Sequence, residues 1–427
     1  MFFELLKKEC SQTLKSLIYW LYVFCLLVFF YSQMGSGSFD NIAKPVPGEE
    51  GNYGTVISKE EDKIMESTLG ELANNLDQDS WTVYPVGFAK HVTLSPEEKQ
   101  EIEEIFQNCT GLRLEEASQI IADSYTQVQG GAIMQTKEIA IKPLSSLTYE
   151  EFQKQMEKVC QILGSGSDYE YQSYSQGVAV PATYEQALER YENLMEKDKL
   201  TGGYARLFAD YVGIALGMLP VFAAVTRFLR DKRAQMAELV YVRKASSAAV
   251  VLSRYLAMVI MMLLPVLLLS FYSLSQCMAY AKSTGTDIDY FAFLPVVFGW
   301  LLPEILAVSA VGMFFTELTD TALGVLVQGI WWFADIFTGA TGGISTGNFG
   351  MHLILRHNSI MGYDVFQDHF QEFCLNRAGY FLLALVLVVL TVLLYGEKRK
   401  GRWNFYGKIR SFSERKSAVS SAHTLRS

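Results

Sequence analysis

Three of the five histidines, His352, His357 and His369, share one stretch near the end of the chain with Asp364 and Asp368. Imidazole and carboxylate together are the materials of metal sites and proton relays. Their spacing fits no standard zinc pattern, so they read as interfacial polar residues with no metal, a metal or proton site being the alternative. Other chemistry is missing from the sequence: there is no His-Glu-x-x-His, no Gly-x-Ser-x-Gly and no Gly-x-x-x-x-Gly-Lys-Ser/Thr loop to cradle ATP phosphates. No catalytic residue is therefore assigned, and the chain is not expected to be an enzyme. Two carboxylates stand in apolar runs. Glu304 should face the bundle interior or be protonated, because an unpaired carboxylate in hydrocarbon is expensive; the competing reading is a structural hydrogen bond beside the Pro303 kink. Asp335, after Trp331 and Trp332, reads as a wet residue near an interface. Arg206 and Asp210, four apart on one helix face, read as a local ion pair.

The elements that carry these residues are apolar. Half of the chain is hydrophobic, which points to several membrane spans rather than an ordinary soluble domain. The net charge of -9 hides an asymmetry, with Asp and Glu crowded into residues 35–204 and basic residues in the short loops and the tail. The stretch that fixes the topology is 227–247. It holds Arg227, Arg230, Lys232, Arg233, Arg243 and Lys244 against Asp231 and Glu238, so it should lie in the cytosol. Within it, Ala234 to Val242 predicts a short helix with Met236, Leu239 and Val240 on one side, a face that must rest on lipid or on a partner protein.

The fold expected is an all-α membrane protein with six transmembrane helices and a large, mainly helical extracytoplasmic domain between the first two. Residues 1–34 give an interfacial helix and a retained first span from Leu17, extended to Met34. Residues 35–204 give the outside domain, about 170 residues and long enough for its own core. A lead-in rich in Gly and Pro opens it, and capping boxes follow at Ser95 with Glu98, Thr148 with Glu151 and Thr183 with Gln186. Helices are expected over 60–76 and 112–128, short strands over 81–88 and 137–141, and a loop at the Tyr-rich 168–177. Residues 205–396 give spans two to six: 205–225, 248–272 with a kink at Pro265, 291–315, 322–339 and 379–395. A polar outer segment, 340–378, precedes the last, with short helices over 351–355 and 365–373. The tail, 397–427, is basic and cytosolic, which leaves both termini inside a multi-pass plasma-membrane protein. Cys109 and Cys160 could pair in the acidic region, although two cysteines make no framework and free thiols are the default.

This organisation resembles the type-2 ATP-binding-cassette permeases, the membrane subunits of exporters. The loop carries the resemblance: Arg230-Asp231-Lys232-Arg233, then Glu238-Leu239, then Ser253-Arg254-Tyr255, with Gln235 and Met236 where the family has Gly and Thr and Lys244-Ala245 where it has Ser-Pro. Asn376-Arg377 before the last span, followed by Tyr380, is a second similarity. The resemblance implies an export permease for a peptide, lipid or drug-like substrate, with ATP and Mg held by a separate ATPase subunit and no cofactor in this chain. That ATPase would grip the loop as a coupling helix, and Arg230, Arg233, Met236, Glu238 and Leu239 are the expected contacts. A second permease copy or a related permease and membrane lipids complete the expected partners, with no nucleic acid. The alternative is a permease-like sensor or regulatory subunit that binds an extracellular peptide.

Overall fold

The computed structural model describes residues 1–35, 42–85, 89–127, 133–135, 141–341, 350–357 and 359–403. They form two compact units, one mainly Met1–Lys44, Leu188–Gly339 and the described residues beyond 347, the other mainly Pro45–Ala187.

The first unit opens with α1 (Phe2–Leu14), an amphipathic helix in which Glu9 and Thr13 are buried. A single unhelical residue after Lys15 separates it from α2 (Leu17–Met34), the first helix long and apolar enough to cross a membrane. Tyr19, Tyr22, Leu26 and Phe30 recur along α2 at helical spacing and are buried, while Leu17, Phe24 and Val28 stay exposed. Such exposure is ordinary where lipid is the solvent.

The second unit holds β1 (Thr55–Ser58), α3 (Glu61–Gln78), β2 (Trp81–Val83), β3 (Lys90–Val92), α4 (Pro96–Thr110), α5 (Leu114–Ser124), β4 (Tyr125–Gln127), β5 (Ile133–Gln135), α6 (Tyr149–Leu163), α7 (Tyr171–Tyr174), β6 (Val178–Pro181) and the start of α8 (Tyr184–Glu192). Its core packs Leu69 and Leu72 of α3, Ile102 and Phe106 of α4, and Phe152 and Met156 of α6. The expected capping boxes form. Ser95 and Glu98 exchange hydrogen bonds at the start of α4, Thr148 and Glu151 at the start of α6, and Thr183 and Gln186 before α8. The strands differ from expectation. Among the described residues of the first one, Trp81–Val83 forms a strand, paired antiparallel with β3, residues 86–88 lying outside the described residues, and the helix expected over 112–128 gives way to β4 at Tyr125. The antiparallel pairing of β1 with β6 joins residues such as Thr55 and Pro181 that no local pattern connects. The strand expected over 137–141 lies mostly outside the described residues. Tyr169 and Tyr174 are buried in this core, Tyr171 is exposed, and Cys109 and Cys160 are both free. Gly166 has a positive φ of 80°, and a Cβ there would sit 2.2 Å from the Tyr84 carbonyl carbon, so only glycine allows the Tyr84 N–H to reach the Gly166 carbonyl at 2.7 Å.

The chain returns to the first unit through a π turn at Asn193–Lys197. Then follow α9 (Thr201–Leu216), α10 (Leu219–Arg233), α11 (Ala237–Tyr241), α12 (Ser247–Thr284), α13 (Phe293–Val296), a π turn at Val297–Leu301, α14 (Leu302–Thr319), α15 (Leu323–Thr341), α16 (Tyr363–Asp368) and α17 (Phe370–Arg399). Among the described residues, α2, α12, α13 with α14, and α17 are each long and apolar enough to cross a membrane, and α9 with α10 makes a fifth when the pair is counted as one span bent by 42°. The apolar part of α15, Leu323–Phe337, is shorter.

Proline explains the interruptions. Pro220 cannot follow a continuous helix, because its ring would meet the Leu216 carbonyl, and α9 ends at Leu216. Pro303 is preceded by the wide π turn, which absorbs the same conflict at Gly299. Pro265, where a kink is predicted, lies inside an unbroken α12, and the Tyr22 hydroxyl of α2 donates to the Met262 carbonyl in the turn before it at 2.8 Å. Close packing depends on Gly312 of α14. A Cβ there would stand 2.9 Å from both Ala224 and Val221 of α10, and one on Gly324 of α15 would reach the Gly312 carbonyl at 2.9 Å. Small residues at such crossings let helices associate in lipid by van der Waals contact alone.

In the second unit, burial and then the neighbouring Asp168 push the Glu71 carboxyl up to about 7. A folded-state value above the unfolded one means the folded chain holds the proton longer, so stability falls as pH rises from about 4.5 through 7 and then levels off. Solvent reaches Glu71, which keeps the effect below ~1 kcal/mol. The melting midpoint reported by Trp81 fluorescence is expected to drop between pH 5 and 8, and Glu71→Gln to flatten that slope. An unchanged slope in the variant would refute the assignment.

Candidate functional site

The charged side chains of the helical unit gather in two places. One is the end of the bundle where α1, the C-terminal ends of α10, α14 and α17, and the start of α12 meet. Glu9 of α1 is clasped by three arginines: Arg227 in direct contact, Arg230 at 3.6 Å and Arg254 at 3.7 Å. Gln12, one turn on, accepts from Arg227 at 3.1 Å and from Arg230. Asp231 balances the cluster by pairing with Arg254 and, at 3.1 Å, with Arg230. Beside it, Asp320 pairs with Lys232 and, at 2.5 Å, with Lys398, which also meets Glu317 at 3.2 Å. A buried pair of this kind holds geometry more than it adds stability.

On this base sits α11. Its Tyr241 packs edge-on against Tyr395 of α17 at 5.5 Å, and Arg399 of α17 donates to the carbonyls of Ala245 and Arg243, closing the loop that follows. Burial and the nearby Glu317 push the Tyr241 phenol up, which keeps it neutral. Opposite Tyr241 the surface is apolar and uncovered. Met236 is 46%, Leu239 61% and Val242 80% exposed. The expected helix over 234–242 is thus shortened to five residues, with Met236 capping it. Arg233 and Glu238 are exposed as well. Arg230, also in the expected contact set, meets Glu9, Gln12 and Asp231 of the base. Gln235 has a left-handed φ of 54°. A non-glycine residue held there stores strain of about 1 kcal/mol.

The second gathering surrounds residues 350–357, which are not helical although Leu353, Ile354 and Leu355 are fully buried. Side chains satisfy the backbone of this stretch. Asp335 of α15 accepts from the Ile354 N–H at 2.6 Å and meets His352 Nδ1 at 3.2 Å. Asp210 of α9 accepts from the His357 N–H and from Arg356 Nε, both at 2.9 Å. From α17, Asn376 donates to the Gly350 and His352 carbonyls, Arg377 to the Leu353 carbonyl at 2.7 Å and the Trp300 carbonyl at 3.2 Å, and the Tyr380 hydroxyl to the Met351 carbonyl. Arg377 also stands 3.5 Å from Glu304, which is completely buried.

These contacts revise several expectations. The helix expected over 351–355 is absent, since its polar groups are spent on neighbouring helices, and α17 starts at Phe370 instead of 379. Asp335 is 6% exposed and structural, not wet. Arg206 and Asp210 do not pair with each other. Arg206 turns to Asp198 through two hydrogen bonds, one at 2.7 Å, and Asp210 holds the 350–357 stretch. Glu304 faces the interior, as expected. The histidines do not converge: His369 Nδ1 bonds the Val365 carbonyl, and no group of three or more His, Cys, Asp or Glu among the described residues is arranged to hold a metal ion. Sequence reasoning missed Glu9 and Asp210 as organisers, because their partners lie far away in the chain.

Asp335→Leu should leave the Ile354 N–H unpaired, at a cost of about 1–3 kcal/mol. Amide exchange at Ile354 is expected to accelerate by roughly tenfold or more, with Asp335→Asn intermediate; unchanged exchange in the leucine variant would remove Asp335 from this role. In the comparisons with known proteins, no family model, curated protein or solved structure matches the chain.

Proposed function

We propose that the chain is the membrane subunit of an ATP-driven exporter, with six passes, both ends in the cytosol and the Pro45–Ala187 unit outside. The observation that carries the reading is α11: a short helix with one face fixed to the bundle through Tyr241 and Tyr395, and the other presenting uncovered Met236, Leu239 and Val242. Apolar residues exposed beyond the end of a spanning helix, beside a ring of Lys and Arg, belong against a protein partner or a lipid surface. Fixing by Arg399 and Lys398 favours the partner, because a helix that merely floats on lipid needs no such base. The partner implied is an ATPase that takes Met236 and Leu239 by burial and Glu238 and Arg233 by orientation. A second permease completes the path, with α15 and the exposed faces of α2 and α17 in lipid or against that copy. The substrate class that suits a mostly apolar bundle is peptide, lipid or drug-like.

The test is site-specific crosslinking in cells from a photoreactive residue at Leu239. The expected product joins this chain to a subunit carrying a nucleotide-phosphate loop. Glu238→Ala is expected to leave insertion intact and lower transport in vesicles about tenfold, the equivalent of ~1.4 kcal/mol of coupling. Labelling of Leu239→Cys by an impermeant reagent added outside intact cells, or normal transport by Glu238→Ala, would overturn the reading.

A further inference from the structure

At the end of the bundle away from α11, the helical unit forms a half-open cavity of about 820 Å³ between the start of α9, the loop before α13, α13 with the π turn after it, α16 and α17. That volume is within the range of small-molecule sites. Its walls are aromatic, with Trp300 packed 5.1 Å from Phe373, and Phe366 and Phe370 beside them. Hydrocarbon suits such walls. Four cations line it, Lys197, Lys199, Arg206 and Arg377, against two carboxylates, Asp198 and Asp289. Both carboxylates are engaged, Asp198 by Arg206 and Asp289 by the Phe291 N–H at 2.8 Å. Lys199 pairs with Asp287 at 3.1 Å and Arg377 with Glu304. Lys197 lies over the Tyr363 ring, 5.2 Å from its centre, and forms no ion pair with a described carboxylate. Arg206 Nε and Trp300 Nε1 also lack acceptors, but both atoms are sealed from the cavity.

An occupant must bring negative charge to the exposed Lys197 and hydrocarbon to the phenylalanines. We propose that this cavity binds an acidic membrane lipid, its phosphate head accepted by Lys197 and an acyl chain laid along Phe366, Phe370 and Phe373. The site requires neither ATP nor a second subunit, so it stands or falls separately from the exporter reading.

The experiment is native mass spectrometry of the delipidated full chain in nonionic detergent, titrated with phosphatidylglycerol or phosphatidylcholine of identical chains. One phosphatidylglycerol should bind about tenfold more tightly than phosphatidylcholine, a difference of ~1.4 kcal/mol. Lys197→Glu, at an exposed position that leaves the fold alone, should abolish the preference. Gly299→Leu provides a second arm, since a Cβ at Gly299 meets nothing within 4 Å and Gly299 lines the cavity; the added side chain should exclude the lipid. Equal binding of the two lipids, a preference that survives both variants, or complete displacement by millimolar inorganic phosphate, which would mark a free-anion site, would each overturn the proposal.

Discussion

Backbone that leaves the helix inside an apolar bundle exposes donors and acceptors that hydrocarbon cannot satisfy. Residues 350–357 do this, and the remainder of that half of the bundle is arranged around the consequence. Asp210, Asp335, Asn376, Arg377 and Tyr380 come from three different helices and each spends its polar atoms on this one stretch. Each of these side chains would be costly alone in lipid; together with the carbonyls and N–H groups they bond, they cancel one another's need for water. The apolar flanks then pack normally. Leu353 and Ile354 sit among Val221, Val225, Ala307 and Val308, sealing the polar contacts from lipid.

Arg377 shows which interaction dominates. Its guanidinium reaches the Leu353 carbonyl at 2.7 Å but Glu304 only at 3.5 Å, and neither Glu304 oxygen forms a hydrogen bond. The carbonyls set the position of the arginine, and the glutamate stands behind it at the longer distance. This ordering follows from chemistry, because Arg has five donors in a rigid fork and one carboxylate at a distance cannot saturate them.

Part of the helical unit was legible from apolar runs of sufficient length, which locate α2 and the combined α13–α14 span within a few residues, whereas α12 runs on past the expected end to Thr284 and α17 begins earlier than expected, at Phe370. The capping boxes at Ser95, Thr148 and Thr183 were legible because their reciprocal hydrogen bonds are local. Long-range pairings left no local trace. Nothing in the spacing of Asp210 says that it will bond a backbone N–H 147 residues later, and the i,i+4 relation with Arg206 pointed to the nearer partner. The same limit hid the β1–β6 pair and the irregularity of 350–357, whose composition resembles that of a short helix. At α11 the expected open face of Met236, Leu239 and Val240 holds only in part, since Val240 lies with Tyr241 against the base and Val242 is exposed instead; the arginines before it divide by tertiary contact, Arg230 meeting Glu9 while Arg233 stays exposed, a distinction only the position of α1 supplies.

The two polar gatherings are joined by one continuous element. Arg377 near the start of α17 holds the 350–357 stretch and lines the aromatic cavity, and Lys398 near its end holds Glu317 and Asp320 beneath α11. At 1.5 Å per residue the separation is about 32 Å, close to the thickness of a bilayer's hydrocarbon core. Between them α17 contains neither proline nor a break in its hydrogen bonding, so it has no hinge at which motion could be absorbed. A rigid displacement at one end must therefore disturb the ion pairs at the other.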